Sequence, residues 1–531
     1  MRVEAAPPLK TANPPTPTAA RGRWRGLRVL RRWLARRYGP LAPYGFGLVG
    51  LYTLFLALAE VLSFGRAERS WALLIATGVA AALFLAMIGL FVWNLWSALR
   101  AMADRDLAGA LRQIVLFAGL AGLLLLFLPR LFSKDVLSYI MYGRAFGAYG
   151  LNPYTTDPVN VQFDYNFRLI DWHFTGSVYG PAWTLLCTGL YKVLAPLATT
   201  HIWGYVVGFR ALGLGFHLAN TVLIWDILGR LRPRWRVAGT LFYAWSPLAL
   251  IEFAGNAHND AALVCFLLLA VAAHLRKRPG LVALFLALSV LTKFITLLIV
   301  PAYLLLLWRQ EPDLRARLRA WGRAAAIGLA AFALLWLPFY EALRHPLFLV
   351  GSAAASEYDN SLLEVAYLAL RQVFAAVLPA GQGDQVANLL VKTLSRAIFV
   401  VAWAVLTWRT RDTRGWLTAS FWIFFAYLVF GTGWFWPWYV TWLVALAPLV
   451  GGRRATALTL TFSASVLVIY VLWGNQLPYD RGNVYPIHNL VAFGLPLLVL
   501  WLQLRRGRPA SGPANAPPRR RGRAWSPAGR L

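Results

Sequence analysis

The sequence predicts an all-α, polytopic transmembrane protein with about 13 membrane-crossing helices, and three observations support this fold class. Hydrophobic residues make up 59% of the 531 residues and charged residues only 14%, a composition that soluble globular proteins do not have. Apolar runs of spanning length recur along most of the chain. Lys and Arg are concentrated in short connections and in the two tails, as in membrane proteins that are oriented by cytoplasmic positive charge.

The candidate spans are apolar runs bounded by polar or charged residues. They occupy residues 44–64, 71–98, 113–132, 179–198, 202–228, 237–253, 260–275, 280–291, 293–308, 324–339, 389–408, 415–432, 434–450, 455–473 and 486–504. Two of these runs are short for complete spans and meet at Thr292 and Lys293. A broken helix at membrane depth is tolerated only where it lines a protein cavity, so Lys293 is a candidate site residue. The alternative is a lysine at an ordinary helix end, with its ammonium group extended to the interface.

Composition and charge divide the chain into three parts. Residues 1–40 are predicted to be a disordered basic cytoplasmic tail without a cleavable secretory signal, and residues 505–531 a second such tail. Residues 41–504 between them form one polytopic membrane domain. Three crossings place residues 131–178 outside the cytoplasm as a long loop. The region 179–228 must then cross an odd number of times although it contains two apolar runs, so one run is expected to be broken or re-entrant.

The net charge of +31 allows a second interpretation, which is binding to nucleic acid. The basic residues alternate with the predicted spans, however, so no nucleic-acid partner is expected. Cys187 and Cys265 lie within apolar runs, which indicates neither a disulfide framework nor a zinc site. The sequence also lacks a dinucleotide glycine fingerprint, a phosphate loop and a nucleophile elbow. Membrane lipids are therefore the first expected partners.

One acid, Asp135, follows the third apolar run in the sequence LFSKDVLSYIMYGRAFGAYGLNPY at residues 131–154. Ser133 is the expected N-cap of a helix there, with Asp135 in the first turn, where the helix dipole favours an ionised carboxylate. Asn152 and Pro153 are expected to end this helix. Its apolar residues recur at the spacing of a helix that lies along a membrane surface: Leu137, Ile140, Met141 and Ala145. We interpret Asp135 as the acid of a membrane enzyme; the alternative is an ordinary first-turn acid.

A second polar group, EFAGNAHND at residues 252–260, separates two apolar runs. Its polar members are Glu252, Asn256, His258, Asn259 and Asp260. Asn and His side chains are neutral, directional hydrogen-bonding partners, which suits recognition of sugar hydroxyls or of an acceptor. An ordinary polar turn and a divalent metal site are the alternatives, although no second His follows at i+4.

The third element is the aromatic cluster WFWPWYVTW at residues 434–442. Trp and Tyr are enriched at membrane interfaces, so an anchoring belt is one interpretation. The other is a stacking wall for sugar faces or a prenyl chain, with Pro437 breaking the helix and turning Trp438 and Tyr439 inward. Tyr179, which precedes Gly-Pro, is expected to close the acidic loop beside Asp135.

Together these groups suggest glycosyl transfer from a lipid-phosphate sugar. Asp135 would act as general base and take a proton from the acceptor hydroxyl as it attacks the anomeric carbon. Arg144 and Lys293 are the candidates to hold the phosphate and to stabilise its developing charge. A phosphate leaves without protonation, so one carboxylate suffices, whereas glycosidases need a pair.

The motifs also occur in a known order. The run DVLSYIMYGRAFGAYGLNPY is followed by VYGPAW, GNAHNDA, LTKF and PWYVTW. This collinear set resembles the GT-C superfamily of integral-membrane glycosyltransferases, and most closely its polyprenyl-phosphate-mannose-dependent α-(1→6)-mannosyltransferases. The resemblance implies a GT-C fold in the cell membrane, a polyprenyl-phosphate hexose donor with mannose favoured, and an extracytoplasmic glycan or glycolipid acceptor.

By this resemblance Asp135 matches the catalytic acid of the family's first outer loop, and Lys293 matches a Thr-Lys in its broken helix pair. Many members carry two neighbouring acids in that loop, whereas here Lys134 precedes a single Asp135, which argues against a metal-dependent mechanism. No cofactor or metal ligand is assigned, and a divalent metal stays open. The expected substrate-binding residues are Tyr139, Arg144, Asn152, Tyr179, Asn256, His258, Asn259, Asp260, Lys293, Trp438 and Tyr439.

Two rival functions remain. A GT-C enzyme could use a pentose, an aminosugar or a protein acceptor, and a transporter or flippase of lipid-linked sugars would also have many spans. Transporters concentrate ionisable groups at the bilayer midplane, whereas 12 of the 21 acids here map to the outer side by loop charge. They are Asp135, Asp157, Asp164, Asp171, Glu252, Asp260, Glu341, Glu357, Asp359, Glu364, Asp384 and Asp480. A membrane scaffold without chemistry is the least favoured interpretation.

Overall fold

The computed structural model describes residues 29–58, 70–101, 108–129, 132–198, 201–344, 358–472 and 487–506. Within these ranges the regular structure is helical, and the predicted all-α class is confirmed. Residues 1–28 and 507–531, which make up most of the two predicted tails, lie outside the described ranges. The described end of the first tail is helical because Arg, Leu and Trp alternate there at amphipathic spacing.

Most of the helices pack against a neighbour in sequence. They are α1 Val29–Tyr38, α2 Ala42–Ala57, α3 Ser70–Ala101, α4 Ala108–Leu126, α5 Asp135–Tyr149, α6 Pro181–Ala198, α7 Ile202–Leu231, α8 Arg236–Ala244, α9 Pro247–Gly255, α10 Asp260–Leu275, α11 Pro279–Thr292, α12 Val300–Gln310, α13 Leu314–Trp336, α14 Leu362–Ala375, α15 Gln382–Trp408, α16 Thr413–Ala426, α17 Thr441–Val450, α18 Arg453–Ser465, α19 Leu467–Leu472 and α20 Ile487–Arg506.

The protein is a multi-pass membrane protein. Among the described residues, 7 helices are long and apolar enough to cross a bilayer, and up to 9 if each of two bent helix pairs counts as one span. Four shorter apolar helices accompany them, and these include α10 and α11. Within the described residues each predicted apolar run overlaps one or two helices, and these helices do not fix the number of crossings.

The region 179–228 contains two continuous helices, of which only α7 is a candidate span. α6 has Pro196 inside it and packs along α5 at close range. A Cβ at Gly143 of α5 would lie 2.7 Å from the carbonyl oxygen of Cys187 in α6, so the two backbones are nearly in contact there. The odd number of crossings in this region is consistent with α7 alone spanning the membrane.

The predicted helix after residue 134 is present, but its surroundings and its end differ from the prediction. All residues from Val136 to Ala145 are buried, because α6 and the loop after Tyr149 cover the face that was expected to meet lipid or water. The N-cap is Lys134, without a side-chain capping hydrogen bond, so the prediction of Ser133 as N-cap is wrong, although the Ser133 hydroxyl accepts a hydrogen bond from the backbone N–H of Asp135 at 3.2 Å. The helix ends at Gly150, whose left-handed φ of 68° closes it before Asn152 and Pro153.

The predicted helix break at Thr292 and Lys293 is confirmed. α11 ends at Thr292, Lys293 is extended with φ −152° and ψ 121°, and a 3₁₀ segment, Phe294–Ile299, leads into α12. The backbone N–H of Gly180 donates a hydrogen bond to the Thr292 carbonyl at 3.1 Å. A Cβ at Gly180 would lie 1.9 Å from the Leu291 carbonyl oxygen, so only glycine permits this contact. The contact holds Tyr179 against the break that carries Lys293.

Gly180→Ala is expected to destabilise the protein by about 1–3 kcal/mol, because the added methyl group must push the two backbones apart. Thermal denaturation of the purified protein in detergent measures this as a lower Tm. Gly189→Ala is the matched control, since Gly189 is exposed on α6 with no heavy atom within 4 Å of the added Cβ. Equal Tm values for the two variants would contradict the close approach at Gly180.

Candidate active site

Four segments that are distant in sequence meet beside Asp135. They are the first turn of α5, the turn between α9 and α10, the break at Lys293, and the segment Pro437–Val440 with the start of α17. The side chain of Asp135 is 18% exposed. Its Oδ2 accepts a hydrogen bond from the Tyr179 hydroxyl at 3.1 Å and lies 3.8 Å from His258 Nε2. The structure therefore brings the predicted acid together with Tyr179 and His258.

The surroundings of Asp135 change its affinity for protons. Burial raises the pKa of this carboxyl group above its ordinary value, and it is the largest influence. The charges of His258 and Lys293 and the hydrogen bond from Tyr179 oppose that rise without cancelling it. A carboxylate with a raised pKa is a stronger base than an ordinary aspartate, and it stays ionised above that pKa.

His258 lies between Asp135 and a second buried acid, Glu252. Its ring stacks on Trp438 with centroids 3.9 Å apart and planes 19° apart. Its Nδ1 lies 3.0 Å from Glu252 Oε2. Glu252 also accepts hydrogen bonds from the Asn256 amide at 2.9 Å and from the Tyr470 hydroxyl at 2.7 Å. Glu252 is thus held by three neighbours, and it fixes the orientation in which His258 faces Asp135.

Lys293 and Asp260 form an ion pair across the two helix breaks. The ammonium nitrogen lies 3.0 and 2.9 Å from the two carboxylate oxygens of Asp260. Trp442 Nε1 donates a further hydrogen bond to Asp260 Oδ1 at 2.5 Å. Lys293 Nζ also lies over the ring of Tyr439, 4.5 Å from its centroid. The lysine side chain is 16% exposed, so its charge is held near the interior at a fixed place.

Two further predicted substrate-binding residues contact neighbouring groups of the site. Tyr139 is fully buried and packs edge-on against Tyr179 and Trp183, with ring centroids 5.1 Å apart in both pairs. Asn256 accepts a hydrogen bond from the backbone N–H of Phe132 at 3.2 Å, which ties the segment before α5 to the turn before α10. Both residues position neighbouring groups in the described contacts.

Asn259 differs from these residues because its side-chain amide is buried with no hydrogen-bond partner among the described residues. A buried amide without a partner is costly unless a ligand or water satisfies it. Its position beside His258 makes it a candidate to meet a substrate hydroxyl.

Arg144 and Asn152, which are also predicted to bind substrate, contact residues other than those around Asp135. Arg144 Nε pairs with Asp164 Oδ2 at 2.7 Å, and the two side chains are 10% and 0% exposed. The rings of Tyr149, Tyr165 and Tyr191 surround the guanidinium group. Asn152 Oδ1 accepts from the backbone N–H of Tyr154 at 3.1 Å and so shapes the turn after α5. The charge of Arg144 is thus already balanced by Asp164.

Several residues of the site were not predicted as site residues. Glu252 was in the second polar group without an assigned role, and Trp442 was in the aromatic cluster. Nothing in the sequence indicates that Tyr470 belongs to the site, because it lies in an apolar run 218 residues from Glu252, which it contacts. Across the described ranges, no group of three or more His, Cys, Asp or Glu side chains is arranged to hold a metal ion.

The sequence matches a family of known proteins. Residues 45–309 match the family model described as "Alpha-(1->6)-mannopyranosyltransferase, N-terminal domain". The chain belongs to this family. It is also 27% identical, over 367 residues, to alpha-(1->6)-mannopyranosyltransferase A of Mycobacterium tuberculosis, in an alignment that covers 65% of this chain and 67% of that protein.

The family match decides between the rival functions. The chain is a GT-C membrane glycosyltransferase of the mannosyltransferase type, so the resemblance inferred from its motifs is confirmed. The transporter and scaffold interpretations have no comparable support. The matched range contains every element of the site except the aromatic segment, α17 and Tyr470 of α19.

Tyr179→Phe tests the environment of Asp135. The substitution removes a hydrogen bond that lowers the pKa of the carboxyl group, so this pKa rises further. A base works only when it is ionised, and activity is therefore lost as pH falls through its pKa. The acid limb of the pH–kcat profile is expected to move to higher pH. Tyr142→Phe is the control, because the Tyr142 hydroxyl lies near the carbonyls of Thr175 and Gly176 instead. An acid limb that stays in place or moves to lower pH would refute this account.

Proposed function

We propose that the protein transfers mannose from a polyprenyl-phosphate carrier to an extracytoplasmic glycan or glycolipid, with Asp135 as general base. The observation that carries this proposal is the meeting of one half-buried carboxylate, Asp135, with one fixed ammonium group, Lys293. Two neighbouring residues link them: the Tyr179 hydroxyl donates to Asp135, and the Gly180 backbone N–H donates to the carbonyl of Thr292, the residue before Lys293. A base and a phosphate-binding cation are the two charged groups that this reaction needs.

The reaction is a displacement at the anomeric carbon of the donor sugar. Asp135 takes the proton of an acceptor hydroxyl while that oxygen forms a bond to the anomeric carbon. The bond from the anomeric carbon to the phosphate oxygen breaks, and the polyprenyl phosphate leaves with the electron pair. Because the phosphate oxygen is a weak base, it needs no proton from an acid, and a single carboxylate suffices.

We assign the phosphate to Lys293. A donor phosphate would compete with Asp260 for the ammonium group, and the charge that develops on the leaving oxygen would strengthen this contact. Arg144 is the other predicted cation, but its guanidinium group is enclosed by Asp164 and three tyrosines. We therefore give Arg144 the role of holding the loop after α5 in place.

The sugar is bound by neutral groups around these two charges. Asn259 offers a buried amide without a hydrogen-bond partner among the described residues, and His258 offers its Nε2 beside Asp135. Trp438 stacks on His258, and Tyr439 lies under Lys293, so these two rings hold the binding groups in place. Directional amide and imidazole groups distinguish sugar hydroxyls.

The proposed location of the site is the extracytoplasmic face of the cell membrane, with both termini in the cytoplasm. The distribution of basic connections supports this orientation. No pool of nucleotide sugars exists on that side, so the donor must be carried across on a lipid. The similarity to alpha-(1->6)-mannopyranosyltransferase A supports an α-(1→6) linkage in the product.

Asp135→Asn is expected to lower kcat by about 10²- to 10⁴-fold, the contribution of a general base. The amide keeps the size of the side chain and can still accept from Tyr179, so the fold and donor binding should persist. Transfer from radiolabelled polyprenyl-phosphate mannose to an α-(1→6)-linked mannose oligosaccharide measures the rate. Asp157→Asn is the control, because Asp157 lies in the same loop but makes no described contact with Asp135. Unchanged turnover of Asp135→Asn would remove the base from the proposal.

Lys293→Met is expected to weaken donor binding and to lower kcat, each by about tenfold or more, because the phosphate loses a fixed charge. The substitution also leaves Asp260 unpaired, so Asp260→Asn/Lys293→Met is made alongside to separate stability from catalysis. Donor KM and kcat are measured for both, with Lys192→Met, an exposed lysine of α6, as control. Full activity of the double variant would show that Lys293 serves only to balance Asp260.

A further inference from the structure

A row of aromatic rings runs from the outer loop to the catalytic acid. Trp172 of the loop contacts Trp434 with centroids 5.6 Å apart, and Trp434 contacts Trp436 at 6.2 Å. Trp436 stacks on Trp438 at 5.1 Å with planes 8° apart. Trp438 stacks on His258, whose Nε2 lies 3.8 Å from Asp135. The row therefore joins residues from three parts of the chain into one path that ends at the reacting groups.

The two ends of this row differ in exposure. Trp436 and Trp438 are buried, at 8% and 5% exposed. Trp172 and Trp434 are half-buried, and their planes are inclined by 58° to each other. The outer pair thus presents accessible indole surface away from the acid, whereas the inner pair forms a closed wall beside it.

Both outer tryptophans are held in place by their neighbours. Lys134 and Asp171, the residues before Asp135 and Trp172, form an ion pair at 2.6 Å. The backbone of Asp359 bonds to that of Gly433 at 2.8 Å and of Phe435 at 2.9 Å on either side of Trp434. The position of the outer pair relative to the catalytic acid is thus fixed by contacts on both sides.

The chemistry of this surface fits a sugar chain. Indole rings have a negative π face, which attracts the polarised C–H groups on the apolar side of a pyranose. A mannosyltransferase must admit a glycan acceptor whose attacked hydroxyl reaches the base, and the rest of that glycan must lie along a path leading outward. Trp172 and Trp434 are the accessible part of the indole row, and they lie on the outer-loop side of the base, where the remote units of such a glycan would be.

We propose that Trp172 and Trp434 form an acceptor subsite, which binds a sugar unit of the growing glycan that is remote from the attacked hydroxyl. The inference rests on the proposed function for the identity of the acceptor as a glycan. It gives the enzyme a preference for longer acceptors, because only a chain of several units spans the distance from Asp135 to the outer pair.

The test measures acceptor binding directly and needs no donor. The full-length protein in nanodiscs is titrated calorimetrically with an α-(1→6)-linked mannose hexasaccharide and with the disaccharide. Trp172→Ala and Trp434→Ala are expected to weaken hexasaccharide binding by about three- to tenfold, the value of one aromatic contact. Binding of the disaccharide is expected to weaken much less. Trp172→Tyr and Trp434→Phe, which keep an aromatic face, are expected to recover part of the affinity.

Phe174→Ala is the matched control, because Phe174 lies two residues from Trp172 in the same loop and is 76% exposed. It is expected to bind the hexasaccharide as tightly as the native protein. Thermal denaturation verifies that each variant is folded, and Trp172→Leu or Trp434→Leu, which fills the position without an aromatic face, replaces any alanine variant that is not.

The outcomes separate this inference from the proposed function. Hexasaccharide binding that depends on Trp172 and Trp434 supports the subsite, even if polyprenyl-phosphate mannose proves not to be the donor. Unchanged affinity in both variants, an equal loss for Phe174→Ala, or no hexasaccharide binding by the native protein would overturn it. A loss of donor affinity without any loss of hexasaccharide affinity would also overturn it, since the row would then hold the prenyl chain.

Discussion

The ion pair between Lys293 and Asp260 joins two helix breaks, and the remainder of the site depends on it. A broken helix in a membrane protein exposes backbone groups and charges that lipid cannot satisfy, so such breaks persist only where they satisfy one another. Here the lysine at one break neutralises the aspartate that starts α10 after the other. Trp442, from a third break near Pro437, donates to the same aspartate. Three interrupted helices thereby create a polar interior in a chain that is otherwise largely apolar, and α5 delivers Asp135 to its edge.

Different residues have different roles in the proposed site. In the proposed reaction Asp135 is the base and Lys293 the fixed positive charge, while the side chains of His258 and Asn259 lie beside them. The second strong ion pair, Arg144 with Asp164, is enclosed by tyrosines and holds the loop that carries Trp172. Under the proposal, one ion pair lies at the reacting groups and the other holds a loop.

The sequence was sufficient for features that are local. An all-α membrane fold follows from composition, and the break at Lys293 follows from a charge between two short apolar runs. Contacts between residues that are distant in sequence could not be predicted, because a single sequence does not show which helix faces pack together. Arg144 is a predicted phosphate ligand, and its pairing with Asp164, 20 residues away, could not be predicted from the sequence. Tyr470 looked like an ordinary apolar-run tyrosine, although it holds Glu252. The burial of α5 could not be predicted either, because the spacing of its apolar residues suits both a surface helix and an interior one.

The central claim is that Asp135 is the base that faces the acceptor while Lys293 faces the donor phosphate. A cryo-EM structure with a non-cleavable polyprenyl-phosphonate mannose and an α-(1→6)-linked mannose acceptor tests it most directly. The account predicts an acceptor hydroxyl within hydrogen-bonding distance of the Asp135 carboxylate and the phosphonate in contact with the Lys293 ammonium group. It would be contradicted by a donor whose anomeric carbon lies away from Asp135, with another carboxylate beside the acceptor hydroxyl.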